Sequence, residues 1–353
     1  MRILIDARGL AACALLPALV AGTAPSTTAG AAPSVTAVTA AVATTATEAP
    51  SSASPPPEAV VTWWPERPVQ GRLFVLRVTT QPGEASAGRE ASETPAAASA
   101  EPVLTVEGEA AGEPLHFAPA PGGGFESLAP VPVDAEERVR VALTVRYAGG
   151  LGQSLEVEVP VAAGEYRHEQ LTVAPAFGRA PDEAAQARLA RDRAKALEVS
   201  RRAHETPRLW TGSPMLPRSD ARVTSGFGNG RVFNGQVSSR HMGLDLSGDP
   251  GAEVVATARG VVALVDDFLL AGNIVYLNHG GGLVSGYFHL SEQLVAQGDT
   301  VEAGTPIGRV GATGRVTGPH LHWVLRYGHT SLDPRSLLEV ADADATVADQ
   351  STR

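Results

Sequence analysis

The sequence is nearly free of cysteine, since Cys13 is the single one in 353 residues. Residues 10–13 have the pattern of a lipid-attachment box, in which an acylated Cys13 would tether the chain to a membrane. Asp6 and Arg8 stand where such a leader needs apolar residues, and this favours ordinary signal cleavage. The cleaved chain would then hold no cysteine, which excludes a fold stabilised by disulfides.

Positive charge is also scarce. The formal net charge is -10 at pH 7, and no run of basic residues marks a phosphate-binding surface. Association with nucleic acid depends on such a surface, so we expect no nucleic-acid partner.

Long apolar runs are missing as well. Residues 1–31 begin with a short charged segment and continue into an apolar stretch shorter than the ~20 residues of a membrane span. This is typical of a signal peptide, so we expect an exported protein of the periplasm or cell envelope. Residues 32–57 are rich in Ala, Thr, Ser and Pro and carry too little bulky apolar surface to fold, which predicts a low-complexity linker.

Short strands separated by Gly and Pro are predicted across residues 58–175. In residues 138–146, apolar side chains alternate with polar ones, as in a strand with one buried face. The polar stretch 82–102 is predicted to be a loop. Strands at these intervals indicate an immunoglobulin-like β-sandwich.

A helix is predicted over residues 180–205, where strong helix formers follow Pro181 and an acidic first turn. Its apolar stripe is predicted to consist of Ala187, Ala190, Ala194 and Leu197, enough to lie against a neighbouring domain. The simplest interpretation is a connector helix. Residues 339–353 are polar and alanine-rich, which predicts a disordered tail.

Four residues in the last third of the chain have side chains suited to metal chemistry. His241 and Asp245 occur in "HMGLD", and His320 and His322 in "GPHLHW". On a β-strand the last two imidazoles project from one face. Two neutral imidazoles and a carboxylate around Zn²⁺ leave a position for water, whose pKa the metal lowers to about 7. This combination predicts a hydrolase.

The same region resembles the lysostaphin-type, or LytM-type, zinc metallopeptidases, which cut peptidoglycan cross-links. The resemblance rests on segments in one continuous order, namely "SGFGNGRVFNG", "HMGLDLSGDPGAEVVATARGVV", "GNIVYLNHGGGLVSGYFHLS", "VAQGDTVEAGTPIGRVGATGRVTGPHLHW" and "LDP". It implies an antiparallel β peptidase domain of the LytM, or duplicated-hybrid, type over residues 215–338. The whole chain is therefore expected to be all-β apart from the connector helix.

The resemblance also implies a role for each residue of the motifs. His241, Asp245 and His322 would bind Zn²⁺, while His289 and His320 would be catalytic histidines beside the bound water. The implied function is a metalloendopeptidase acting on peptidoglycan stem peptides. A regulatory envelope partner is conceivable.

The sequence also suggests structural positions for residues near the motifs and for the remaining histidines. If residues 285–290 form a regular strand, Tyr287 shares a face with His289 and supports the cleft. The upstream tyrosine of some family members has no counterpart before His241, where Phe233 and Asn234 stand. His279 is predicted to lie in a turn, and Trp323 to pack on the opposite face from His322. The other histidines are predicted to face solvent or to bond to nearby residues, namely His116, His168, His204 and His329.

Two other classes of protein fit part of the sequence, and the bond that an active endopeptidase would cut is also open. Residues 295–311 have the glycine pattern of biotinyl, lipoyl and phosphotransferase carrier domains, but no modifiable lysine follows Gly280. A degenerate or autoinhibited family member would bind the wall or activate another hydrolase, although such proteins usually have a substituted ligand. The scissile bond is open too, because a D,D-cross-link and a glycyl-glycine bond fit the same motifs.

Overall fold

The computed structural model describes residues 58–80, 103–148, 150–177 and 180–341. The predictions for the leader 1–31, Cys13, the linker 32–57 and the loop 82–102 concern residues outside these ranges, as does most of the predicted tail. No helix in the described ranges combines the length and the apolar character needed to cross a membrane.

The N-terminal part is a β-sandwich of two antiparallel sheets. Its strands are β1 (Ala59–Trp64), β2 (Leu73–Thr80), β3 (Val103–Ala110), β4 (Glu113–Pro114), β5 (Ala118–Pro119), β6 (Phe125–Pro130), β7 (Arg138–Tyr147) and β8 (Gly152–Pro160). One sheet has the order β1-β2-β6-β5 and the other β4-β3-β7-β8. Their inner faces form one apolar core, and the predicted sandwich is confirmed.

Strand β7 shows why the sequence folds in this way. Val139, Val141, Leu143 and Val145 are buried, while Arg138, Arg140 and Arg146 are exposed, as the alternation predicted. Strands β1 and β6 were not predicted. Strand β6 carries Glu126 and Ser127 and ends on Pro130, so its local composition does not favour a strand, and its pairing with β2 decides the structure.

The C-terminal part is built on one large antiparallel sheet with the strand order β10-β13-β20-β17-β16-β15-β18, which confirms the predicted architecture. The chain reaches it through β9 (His168–Leu171) and helix α1 (Glu183–His204). The remaining strands are β10 (Val223–Ser225), β11 (Gly230–Phe233), β12 (Val237–Arg240), β13 (Leu244–Ser247), β14 (Glu253–Val255), β15 (Gly260–Phe268), β16 (Gly272–Gly280), β17 (Leu283–Gln293), β18 (Thr300–Val301), β19 (Pro306–Val310), β20 (His320–Tyr327) and β21 (Thr330–Leu332).

Helix α1 begins at an N-cap, Asp182, whose side chain accepts a hydrogen bond from the Ala185 amide. The predicted stripe is wrong, because Ala187, Ala190 and Ala194 are exposed. The buried face consists instead of Asp192, Ala196, Val199, Ser200 and Ala203. Asp192 is buried because its carboxylate accepts a hydrogen bond from the Leu269 amide at 2.8 Å, a tertiary contact that no apolar pattern reveals.

The buried face of α1 covers one face of the large sheet. Ala196, Val199 and Ala203 pack in one cluster with Tyr276, Phe288 and Val324 of the sheet strands. The helix therefore completes the core of the C-terminal part as well as linking it to the sandwich.

Strand β9 lies within the predicted sandwich range but does not join the sandwich. It pairs in parallel with β11, and Glu169 lies opposite Arg231. Together with β12 these strands form a small separate sheet. At the other end, residues 335–341 are helical and Val340 is 3% exposed, so the structured part continues beyond the predicted boundary at residue 338.

Two histidines predicted to be solvent-facing or locally bonded join distant parts of the chain instead. His116 Nε2 lies 2.8 Å from His204 Nδ1, and His204 Nε2 lies 3.1 Å from the Glu113 carboxylate. The other oxygen of Glu113 accepts a hydrogen bond from the His329 amide at 2.7 Å. This cluster ties the sandwich, helix α1 and the large sheet together. His168 and His329 are exposed, as predicted.

The prediction of a turn at His279 is wrong, because this residue lies in β16 and is fully buried. Its Nδ1–H donates to the Arg259 carbonyl at 2.9 Å, and its Nε2 lies 2.7 Å from the Ser285 hydroxyl. The Ser285 hydroxyl in turn lies 3.0 Å from that of Tyr287. The imidazole therefore fills a polar position inside the sheet core.

Acid is expected to destabilise the protein through His279. Burial lowers the pKa of its imidazole to about 4, below the 6.5 of an unfolded histidine. The unfolded chain therefore gains a proton first as the pH falls, and stability present above pH 6.5 is lost down to about pH 4. The loss should amount to about 3 kcal/mol. The free energy of unfolding of wild type and His279→Gln, measured between pH 7.5 and 4, should converge; a constant difference would contradict this assignment.

Candidate metal centre and its histidines

Three predicted ligands meet where β13 and β20 pair. Asp245 of β13 lies directly opposite His322 of β20, and His241 stands just after β12 in the bend that leads into β13. Gly243 makes this approach possible, because a Cβ there would lie 2.6 Å from the His322 ring and 2.8 Å from the Trp323 carbonyl oxygen. The bend predicted around Gly243 thus brings two distant motifs into contact.

The ligand atoms of these residues converge on one point. His241 Nε2 lies 3.0 Å from Asp245 Oδ1 and 2.9 Å from His322 Nδ1, and His322 Nδ1 lies 2.7 Å from Asp245 Oδ1. The Nδ1–H of His241 donates to the Gly226 carbonyl at 2.7 Å, which leaves a lone pair on its Nε2. Burial lowers the pKa of His322 to about 4, so this ring is neutral at pH 7.

Such a cluster of acceptors requires a positive charge between them. His241 and Asp245 are 2% and 6% exposed, so water does not compensate their polarity. Burial by itself would raise the pKa of Asp245, but the close approach of His241 and His322 holds that pKa well below its ordinary value. A carboxylate that stays ionised between two imidazole nitrogens fits a divalent metal, and this donor set is one that zinc hydrolases use.

The second oxygen of Asp245 is held by an ion-pair network that the sequence did not reveal. Arg231 of β11 donates to Asp245 Oδ2 at 2.5 Å and to Glu169 Oε2 at 3.0 Å. Glu169 of β9 also accepts hydrogen bonds from Ser225 and Asn229, each at 2.7 Å. Burial opposes ionisation of Glu169, but these bonds lower its pKa below the ordinary value. The network orients Asp245 through Arg231, which bonds the carboxylate oxygen that is not in the ligand cluster.

His289 reaches the cluster through a break in strand alternation. Tyr287 lies opposite Trp323 and Phe288 opposite His322, so a regular strand would direct His289 to the buried face with Tyr287. A φ of 63° at His289 turns it to the other face, a conformation that is rare for residues other than glycine. The predicted role of Tyr287 in the cleft is therefore wrong. Tyr287 is fully buried in the core, and Phe288 packs on His322 with ring centres 5.4 Å apart.

One loop holds both histidines that are not in the ligand cluster. His289 donates its Nδ1–H to the Thr313 carbonyl, and His320 donates its Nδ1–H to the Gly318 carbonyl, each at 2.8 Å. In the neutral rings, these bonds leave Nε2 as an acceptor. The two ring centres lie 4.9 Å apart, and His320 Nε2 lies 3.6 Å from Asp245 Oδ1. Burial, followed by the neighbouring imidazole rings of His322 and His320, lowers the pKa of His289 to about 3.

The cluster opens into a cleft of about 340 Å³. Its walls include Glu169, Arg231, Phe233, His289, Arg315 and His320. Phe233 lines this cleft, whereas Asn234 turns away and its amide group bonds the backbone of Val173 at 3.0 Å. Trp323 is fully buried on the opposite face of β20, as predicted.

Comparison with known proteins places residues 239–334 in a family model described as Peptidase family M23. Over 123 residues the chain is 36% identical to the peptidoglycan DD-endopeptidase ShyC of Vibrio cholerae, a match that covers 34% of this chain and 28% of that protein. It is 40% identical over 97 residues to the DD-carboxypeptidase/endopeptidase Mpg of Neisseria meningitidis, covering 28% of this chain and 22% of the relative. The chain thus spans about a quarter of the length of these curated relatives.

A solved structure extends the likeness beyond the matched region. A crystal structure from Pseudomonas aeruginosa, assigned to peptidase M23, superposes with a TM-score of 0.55 at 25% identity. The superposition covers 78% of this chain and 96% of that chain, so it includes more than residues 239–334. Both Glu169 and Arg231 lie outside the region that the family model matches.

Loss of Arg231 is expected to weaken metal binding. Arg231→Gln would free Asp245 Oδ2 and leave Glu169 without its cation, and changes of this kind typically lower metal affinity by about 10-fold to 100-fold. The dissociation constant for Zn²⁺, measured by competition with a chromogenic chelator, should rise accordingly. Arg309→Gln is a matched control, since Arg309 pairs with Glu292 on an exposed surface. Equal affinities in the two variants would show that the network does not support the cluster.

Proposed function

We propose that this protein is a zinc-dependent endopeptidase that hydrolyses peptide cross-links of peptidoglycan, because its residues 239–334 match the model of peptidase family M23. The observation that carries the proposal is the buried convergence of His241, Asp245 and His322 beside two histidines whose free nitrogens face the same cleft. An intact donor set disfavours a degenerate member that only binds the wall.

Zinc would be held by His241 Nε2, Asp245 Oδ1 and His322 Nδ1, the atoms that converge in the structure. When bound, the ion would polarise the scissile carbonyl and lower the pKa of a water molecule. Three neighbouring residues hold the ligand side chains in position. The Gly226 carbonyl fixes the tautomer of His241, Arg231 fixes the orientation of Asp245, and Phe288 supports the ring of His322.

His320 is proposed to move the proton. Its Nε2 is an acceptor and lies 3.6 Å from Asp245 Oδ1, so it can accept a proton from a water molecule beside the ligand cluster. The resulting imidazolium is stabilised by the Gly318 carbonyl, and it can then protonate the departing amine. The hydroxyl group of the water thus joins the acyl carbon, and the proton of the water reaches the nitrogen of the departing amine.

His289 is proposed to act as a neutral acceptor. A pKa of about 3 keeps its ring uncharged at pH 7, and a nearby dication would favour the neutral form further. Its Nε2 can then accept a hydrogen bond from the attacking water or from a substrate amide. The uncommon backbone angle at this residue is consistent with a catalytic role, because strained backbone tends to persist where function requires it.

The names of the relatives suggest the class of bond. Both DD-endopeptidase and DD-carboxypeptidase activities cut a bond between two D-configured centres. After cleavage, the scissile nitrogen departs as an amine. In such a bond this nitrogen, on the leaving side, is attached to a D-amino acid centre that also carries an α-carboxyl group. We therefore favour a D,D-cross-link over a glycyl-glycine bond, and a site of action in the periplasm or cell envelope.

Two groups of substitutions should separate metal binding from proton transfer. His322→Ala should lose both stoichiometric zinc and cleavage. His320→Ala should keep zinc but lower kcat by roughly 10²-fold to 10⁴-fold, because general acid-base catalysis contributes about that much. Zinc content and release of monomers from cross-linked peptidoglycan, identified by mass spectrometry, would measure the two effects.

The exposed His329→Ala is the matched control for this pair and should behave as wild type. Zinc add-back after chelation should restore cleavage by the wild type. A zinc-loaded wild-type protein that leaves D,D-cross-links intact would overturn the proposed function.

A further inference from the structure

Arg315 is placed by the loop that also holds the two catalytic histidines. The loop begins at Thr313, whose carbonyl binds His289, and ends at Gly318, whose carbonyl binds His320. Between them, the Arg315 amide donates to the Leu270 carbonyl at 2.8 Å, which anchors the middle of the loop to the turn between β15 and β16. Arg315 therefore occupies a fixed position beside the reacting groups.

The side chain of Arg315 is held flat against an aromatic ring in the cleft wall. Its Cζ lies 3.9 Å from the ring centre of Phe233, which is 4% exposed. Stacking of this kind orients a guanidinium group and leaves its edge, with several N–H donors, available to a planar anion. Both residues line the cleft that contains Asp245, His289 and His320.

The charge of Arg315 has no counterpart within the described part of the chain. The other cleft arginine, Arg231, is paired with Glu169 and Asp245, whereas Arg315 makes no ion pair with a described residue. Burial, followed by the positive charge of Arg231, lowers the pKa of Arg315. A partly buried cation without a carboxylate is stabilised when a ligand supplies one.

We propose that Arg315 binds the α-carboxylate of the residue on the leaving side of the scissile bond. The inference rests on the proposed function, in which this residue is a D-amino acid with its α-carboxyl group on the carbon next to the scissile nitrogen. A carboxylate so near the reacting nitrogen matches a cation on the loop that positions His289 and His320. One contact would then serve both a cross-link and a C-terminal residue, because each presents the same carboxylate.

The experiment compares two synthetic cross-linked stem peptides. They differ only at the α-carboxyl group of the residue on the leaving side, which is a free carboxylate in one peptide and a carboxamide in the other. With the zinc-loaded full chain, kcat/KM should be about tenfold to a hundredfold higher for the acid, the range expected for a charge-assisted hydrogen-bonded pair. Arg315→Gln should lose this preference, mainly through a higher KM for the acid. Arg315→Lys should keep part of the preference.

Arg309→Gln serves as the control for removal of a positive charge and should retain the full preference. Cleavage of the amide and the zinc content report whether Arg315→Gln is folded. Equal loss of kcat on both peptides in Arg315→Gln would overturn the inference, because it would assign Arg315 to the shape of the loop. A wild-type protein without preference would also overturn it.

Equilibrium binding separates this inference from the proposed function. The two leaving-side peptides, acid and amide, are titrated into the zinc-loaded wild type and into Arg315→Gln. Tighter binding of the acid by about tenfold, lost in Arg315→Gln, would support the carboxylate site even if neither cross-linked peptide were cleaved. Equal binding of acid and amide to the wild type would contradict it even in a protein that cleaves both.

Discussion

The structure depends on the convergence of three acceptor atoms that are largely removed from water. His241 Nε2, Asp245 Oδ1 and His322 Nδ1 lie within 2.7 to 3.0 Å of one another. Without a cation, such a group would be costly to bury, so the protein must both hold the atoms in place and leave room for a positive charge. Three features hold the atoms in this arrangement. They are the pairing of β13 with β20, the space beside Gly243, and the hydrogen bond to the Gly226 carbonyl that fixes the tautomer of His241.

Support for the cluster comes from two directions, and part of it comes from outside the family-matched region. Phe288 packs against His322 and is itself covered by helix α1 through Val199 and its neighbours. On the other side, Glu169 reaches the cluster through Arg231, from a strand that precedes the helix. The segment between the sandwich and the large sheet is therefore part of the environment of the metal centre.

The cleft is shaped by departures from regular strand geometry. The left-handed backbone at His289 moves its imidazole from the core face to the cleft face, and the loop 313–318 then fixes both histidines through main-chain carbonyls. Carbonyl acceptors at Nδ1 leave each Nε2 free, so the protonation pattern follows from the backbone. The same loop carries Arg315 into the cleft, which links the proposed recognition of substrate to the histidines proposed to take part in catalysis.

The sequence by itself determined the parts of the protein that depend on local pattern. Alternating valines specified β7, Pro181 and the composition specified α1 to within a few residues, and the spacing of the histidines in β20 placed both on one face. The ordered motifs indicated the ligand cluster.

Tertiary structure alone decided the positions that rest on contacts between distant segments. Glu169 and Arg231 are far apart in the sequence, the helix buries Asp192 because Leu269 offers an amide, and Tyr287 and His289 diverge because one backbone angle changes sign. Periodicity reports which face a side chain occupies only while the backbone stays regular, and it contains no information about which distant charge will be its partner.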